Sequence, residues 1–269
     1  MPSSVRHDAL AVVLEPDPGR KADLARSLRR DGPFGEDEVI AEPSGIPGRP
    51  ARPELVPPSR LAARPVHTAE GRAALVHALV HIELNAIDLA ADIVWRFAGL
   101  PAAFYAQWVQ VAHEEALHFG LLREHLRTMG RDYGDFPAHD ALWEMARKTR
   151  HDLLARLALV PRTLEARGLD ASPPIRARLA AAGDRRGAEI LDLILRDEIG
   201  HVAVGNHWYR WACRQAGVDA VAHDALLARR YQAPRPRPPF NLGARRAAGF
   251  DDAELRALGA VPEAPATDC

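Results

Sequence analysis

Glu114-Glu115-Ala116-Leu117-His118-Phe119 and Arg196-Asp197-Glu198-Ile199-Gly200-His201-Val202 share one spacing, Glu-x-x-His, and the reading of these two stretches decides the fold. Each is preceded by a single glutamate on a helical stretch. Glu83 lies 32 residues before Glu115, and Glu165 lies 33 before Glu198. Roughly thirty residues is the length of a helix, a short turn and half of a returning helix. The chain therefore reads as two antiparallel helix pairs, each supplying one Glu and then one Glu-x-x-His. Four carboxylates and two imidazoles facing inward across four helices form the ligand set of a carboxylate-bridged di-iron or di-manganese site.

The bare motif is weak, and its registration with the apolar pattern carries the weight. Residues at i and i+3 share one helix face. Around Glu83 that face reads Leu75, Leu79, Ile82, Ala86, Ala90 and Ile93; around Glu115 and His118 it reads Phe104, Trp108, Val111 and Leu122. Around Glu198 and His201 it reads Leu191, Ile194, Gly205 and Trp208. Ionisable groups in a core stripe are costly unless paired, protonated or metal-bound, and metal binding accounts for all six together.

Composition sets the frame. Of 269 residues 47% are apolar, enough for a real core, and the wealth of Ala, Leu and Arg favours helix. A net charge of −1 gives no global attraction to nucleic acid or to an anionic membrane. Cys213 and Cys269 form neither a ligand motif nor a disulfide framework. The apolar run at the N-terminus, Ala9–Leu14, is short and runs into Glu15 and Asp17, so neither a signal peptide nor a membrane span is expected there. The expectation is a soluble cytoplasmic protein.

Proline draws the map. Eleven of the 22 prolines lie in residues 1–66, six lie after 232, and five occupy the stretch between. Residues 1–66 are expected as an N-terminal extension or strap, 67–217 as the helical bundle, and 218–269 as a C-terminal helix with a Pro-rich tail. In the extension a short helix is expected over 19–30, and the Pro-rich stretch 42–65 as an ordered strap anchored by Ile46, Leu55, Val56 and Leu61. The first long helix is capped by Thr68 and stops near Gly99; the second starts at Pro101 and ends at Met129 before Gly130. A third is expected over 139–167, closed by Gly168, then a short helix over 174–182. A fourth spans 185–216 and stops at Gly217, and further helices are expected over 219–231 and 251–258. Pro161, one turn before Glu165, predicts a kink or bulge.

His81-Ile-Glu-Leu-Asn-Ala-Ile-Asp-Leu-Ala90, Glu114–Phe119, Leu164-Glu-Ala-Arg-Gly-Leu-Asp170, Arg196–Val202 and the strap Arg52-Pro-Glu-Leu-Val-Pro-Pro58 together resemble a bacterial group of ferritin-like proteins classed as a domain of unknown function. The chain is more distantly similar to the di-iron hydroxylase of modified tRNA and to rubrerythrin-type proteins. The resemblance implies an all-α, ferritin-like four-helix bundle with a dinuclear centre held by Glu83, Glu115, His118, Glu165, Glu198 and His201. In such a centre Glu115 and Glu198 bridge the metals and Glu83 and Glu165 are terminal ligands. Oxygen-rich ligation suits two iron ions, with manganese or a mixed Mn/Fe pair as alternatives.

Around the ligands, Asp197 is expected to orient a ligating His. Glu114 divides evenly between that role and a solvent-facing one. Arg162 is a candidate for pairing with a ligand carboxylate or a substrate anion, with a structural salt bridge the more frequent outcome. His77 and His81 share a face away from Glu83 and read as packing or surface residues rather than as a third metal site. Trp95, Tyr105, Trp108, Trp208 and Tyr209 read as core in preference to redox groups. The expected activity is that of a dioxygen-dependent di-iron oxidase or hydroxylase on a small organic substrate, with an external electron donor and no membrane partner. A substrate cavity is expected near Leu79, Ile82, Ala86, Ala158 and Arg162. Two alternatives stand beside it. One is a non-catalytic or peroxide-handling iron protein, and the other an RNA-modifying hydroxylase, for which the local run Arg229 to Arg237 is the main support.

Overall fold

The N-terminal flank opens with two helices, one unexpected and one close to the short helix expected over 19–30. In this computed structural model, which describes residues 3–62 and 64–261, helix α1 spans Val5–Leu14 and α2 Pro18–Ser27. Helix α3 (Ala69–Arg96) and α4 (Ala102–Thr128) follow, then α5 (Ala141–Lys148) and α6 (Leu153–Leu159). A π-turn over Val160–Glu165 leads into α7 (Ala166–Ala181). Helices α8 (Arg185–Ala216), α9 (Ala220–Arg230), α10 (Leu242–Ala247) and α11 (Asp252–Ala257) complete the chain. It is all-α: the described residues hold no strand, only one isolated bridge between Leu55 and Ala138. Cys269 lies outside the described residues.

The chain divides into two compact units. The first takes in residues up to Arg147 and Pro174–Ile194; the second takes in Lys148–Pro173 and the chain from Leu195 on. In the first unit α3 and α4 form a hairpin whose limits follow local chemistry. The Thr68 side chain accepts from Gly71 N at 3.0 Å, and Gly99 (φ 72°) makes the turn between the helices. The Tyr105 hydroxyl seals it, donating to Phe97 O at 2.8 Å and accepting from Leu100 N at 3.2 Å. Helix α3 is long and apolar enough to cross a membrane, yet 78% of its apolar window is buried, which marks it as a core helix.

Helices α1 and α2 dock on this hairpin through buried charges. The Arg6 guanidinium is buried and donates to Trp95 O at 2.7 Å, so a cation closes the carbonyl end of α3. It also donates to Gly35 O and Glu38 O, each at 2.7 Å. Lys21 pairs with Asp88 on α3 and donates to Val13 O and Gly48 O, at 3.3 and 3.2 Å. Gly48 is required here: a Cβ would stand 2.0 Å from Leu14 O. Polar contacts hold the described part of the Pro-rich strap. Val56 N donates to Ala138 O at 2.8 Å, Ala138 N donates to Glu54 O at 3.0 Å, and Arg49 pairs with Asp140. The expected anchor Leu55 is exposed.

The expected third helix is divided. Residues 149–152 separate α5 from α6, where the Asp152 side chain caps α6 by accepting from Ala155 N at 2.9 Å. Two further expectations give way. Gly168 does not stop a helix, and 174–182 is no separate helix, because α7 runs through both. Gly168 is absent from the positive-φ glycines, and the fixed φ of Pro173 and Pro174 suits a helix even though each forgoes an N–H bond. Helix α10 was not expected, since Pro238 and Pro239 stand just ahead of it.

In the second unit the expected disturbance at Pro161 takes the form of the π-turn. Helix α8 accommodates it through Gly205, where a Cβ would lie 2.6 Å from Pro161 Cβ. A small apolar cluster of Leu169, Val202, Phe250 and Leu255 joins α7, α8 and the C-terminal segment.

The Lys21–Asp88 pair tests how α2 is fixed. Lys21→Met alone strands a buried carboxylate and is expected to cost about 3–5 kcal/mol. The double variant Lys21→Met/Asp88→Leu should recover most of that loss in chemical denaturation. Equal instability of single and double variants would show that hydrogen bonds to Val13 and Gly48, rather than charge, hold the contact.

Candidate metal centre

In the first unit Glu83 on α3 and Glu115 and His118 on α4 meet in the core, all three buried. His118 Nδ1 lies 3.4 Å from Glu83 Oε2 and 3.5 Å from Glu115 Oε2. The three offer ligand atoms within 4.8 Å of one another. The hairpin explains the meeting: Gly99 stands midway between the two glutamates, which brings them to one level. Burial disfavours a charged His118, yet the Glu115 and Glu83 carboxylates outweigh it and push its pKa up to about 11. The pocket thus favours a cation strongly, and a proton on His118 answers that demand when nothing else does.

The second unit holds the other expected residues. Glu198 and His201 lie one turn apart on α8, both buried, with His201 Nδ1 3.7 Å from Glu198 Oε1. Glu165 ends the π-turn and is half-buried. The donors in the two units match in type: a lone Glu, then Glu-x-x-His with its imidazole against its own carboxylate. Carboxylate and imidazole donors of this kind fit iron or manganese.

The residues flanking the ligands make contacts of their own. Asp197 is mostly buried and is bridged by its neighbour Arg196 at 2.8 Å. Glu114 is half-buried and accepts from Gln110. Arg162 reaches Glu254 at 2.8 Å and stacks over Tyr209 at 4.2 Å. Glu254 is 92 residues away in sequence, and no spacing signal could have found it. Of the expected cavity wall, Leu79, Ala86 and Ala158 are buried, but Ile82 is exposed. Trp95, Tyr105, Trp108, Trp208 and Tyr209 are all buried core residues.

The region between residues 14 and 256 matches the family model described as "Protein of unknown function (DUF455)". The chain belongs to that family. It is also 46% identical over 225 residues to a protein of Haemophilus influenzae described as "Uncharacterized protein", covering 81% of this chain and 78% of that one. No solved structure matches the chain significantly.

His77 and His81 are packing residues. His81 lies 2.9 Å from the Tyr133 hydroxyl and 2.9 Å from His139 O. His77 stacks on Tyr133, and its Nε2 accepts from Gly134 N at 2.9 Å, which only a neutral ring can do. Burial lowers the His77 pKa to about 4, against weaker pulls upward from Asp135 and Asp132. A folded-state pKa below the unfolded value means that stability is present above pH 6.5 and falls as pH drops towards 4, by up to roughly 3 kcal/mol. Asp88, raised to about 6 by burial, acts in the opposite sense. Comparing His77→Gln with the parent cancels that contribution. The variant should show a flatter fall of Tm between pH 6.5 and 4; parallel curves would mean that His77 has the same pKa in the folded and unfolded chain.

Proposed function

We propose that this chain is a ferritin-like di-iron protein, and that it acts as a dioxygen-dependent oxidase or hydroxylase on a small organic substrate. The observation that carries the reading is the buried Glu83–Glu115–His118 cluster, with the same donor types repeated in Glu165, Glu198 and His201. On this reading Glu83, Glu115, His118, Glu165, Glu198 and His201 would hold two ions. Bound iron would supply the electrons that reduce dioxygen, with a donor protein or small reductant restoring them. The chain's own part is to present four carboxylates and to fix the two rings through the helix faces that carry them. The apolar surroundings of Glu83 and Glu115, among them Leu79, Ala86 and Phe119, would keep bulk water from the ions.

Anaerobic titration with ferrous ion should saturate near two equivalents per chain, and Glu115→Ala should lower that number by at least one. The reduced, loaded protein should consume dioxygen without building a large ferric core. Saturation at one ion, or unchanged loading in the variant, would sink the dinuclear reading. Loading of tens of ions per chain would move the function to iron storage.

A further inference from the structure

A second polar site lies within the second unit, and the ligands already named do not use it. A cavity of about 760 Å³ opens among the π-turn, α9, the Pro-rich segment after it and α11. Its size is that of a small-molecule pocket. Arg162 and Thr163 form part of its wall from the π-turn, and Arg229, Arg235 and Arg256 add three more guanidinium groups. The acids of the wall are Asp224 and Glu254. Four cations against two carboxylates leave an excess of two positive charges.

The acids do not offset that excess at its deepest point. The Arg162 side chain is 4% exposed, and only Nη2 has an acceptor, Glu254 Oε1. Its Nε and Nη1 are buried without any hydrogen-bond partner. Glu254 is itself shared, since its other oxygen accepts from Arg210. Arg162 thus shares its one carboxylate with Arg210, which approaches from the more exposed side and also lies 3.9 Å from Asp251. Donors buried without an acceptor are costly, and an arriving anion removes that cost. The rings of Tyr209 and Phe250 flank Arg162 at 4.2 and 5.4 Å and hold its plane in place. Burial raises the Asp224 carboxyl towards its neutral form, which weakens the acid opposite Arg162.

We infer that this cavity binds a phosphorylated small molecule, its phosphate monoester drawn to Arg162 and the arginines of the rim and its organic part set against Val221, Ala225, Ala228 and Phe250. A phosphate monoester carries close to two negative charges at neutral pH, which matches the excess in the wall better than a single carboxylate does. Planar guanidinium groups also suit its oxygens. The inference rests on the second unit alone and not on the dinuclear reading.

Phenyl phosphate is the probe, titrated calorimetrically into the full-length protein in the presence of a chelator, so that a bound metal ion cannot supply the affinity. Saturable one-site binding is expected. The rim variant Arg229→Gln/Arg256→Gln, whose side chains are not in the core, should keep its fold and bind about tenfold more weakly. Arg162→Lys, checked for helical circular dichroism, should bind weakly or not at all. No saturation below about 10 mM, or equal binding by the rim variant, overturns the inference. So does phenylacetate binding as tightly as phenyl phosphate, which would assign a carboxylate site. Inorganic phosphate binding as tightly as phenyl phosphate overturns the organic part of it. A single-stranded RNA that binds more tightly and displaces phenyl phosphate overturns it in favour of a nucleic-acid surface.

Discussion

Two carboxylates set against one imidazole in a dry core is the constraint on which the first unit depends. Glu83, Glu115 and His118 are all but inaccessible to water, and like charges at such range oppose folding unless a cation sits among them. The strong upward pull on His118 measures that demand. It also explains why so much buried hardware braces the hairpin. Arg6 fixes the end of α3, Lys21 holds its middle through Asp88, and the Tyr105 hydroxyl closes the turn. Each ties α3 or α4 to a neighbour whose position would otherwise relax to relieve the repulsion.

What could be read from the sequence was what local chemistry decides. Thr68, Gly99, Gly130 and Gly217 stand where helices begin or end, so the limits of α3, α4 and α8 were legible, and with them the level at which Glu83 and Glu115 meet. Helix α1 was not legible, because its ten residues have a weak amphipathic pattern and owe their order to burial against α3. Gly168 and the Pro173-Pro174 pair misled for a related reason. Helix punctuation is a propensity, and the packing of Leu169 and Ser172 overrode it. Partnerships across long stretches of chain, such as Lys21 with Asp88 or Arg162 with Glu254, leave no spacing to read.

The π-turn shows how one residue choice reaches both chemical features of the second unit. Pro161 cannot donate a backbone hydrogen bond, and the Thr163 hydroxyl adds a bond of its own to Ala158 O at 2.9 Å. The extra residue in the turn shifts the phase of everything after Val160. Glu165, at its end, and Arg162, in its middle, are aimed by that shift. An ordinary helix would direct both elsewhere. Gly205 is the matching concession on α8, giving up a side chain so that the proline ring can approach. A local irregularity kept at the cost of a packing residue on the facing helix argues that the direction of these two side chains matters.

The two charged features oppose each other in sign, and this bears on how each is kept. Around His118 the core holds two carboxylates; around Arg162 it holds a guanidinium that Glu254 meets through Nη2 alone. Had folding alone been at stake, neutral packing of similar volume would have served either place as well or better. A carboxylate excess can be relieved by protons, so the first cluster survives without a ligand by titrating. An arginine has no such escape, since it stays charged at any pH the protein meets. Arg162 therefore keeps its charge in the folded chain at any such pH, with Nε and Nη1 buried and without an acceptor.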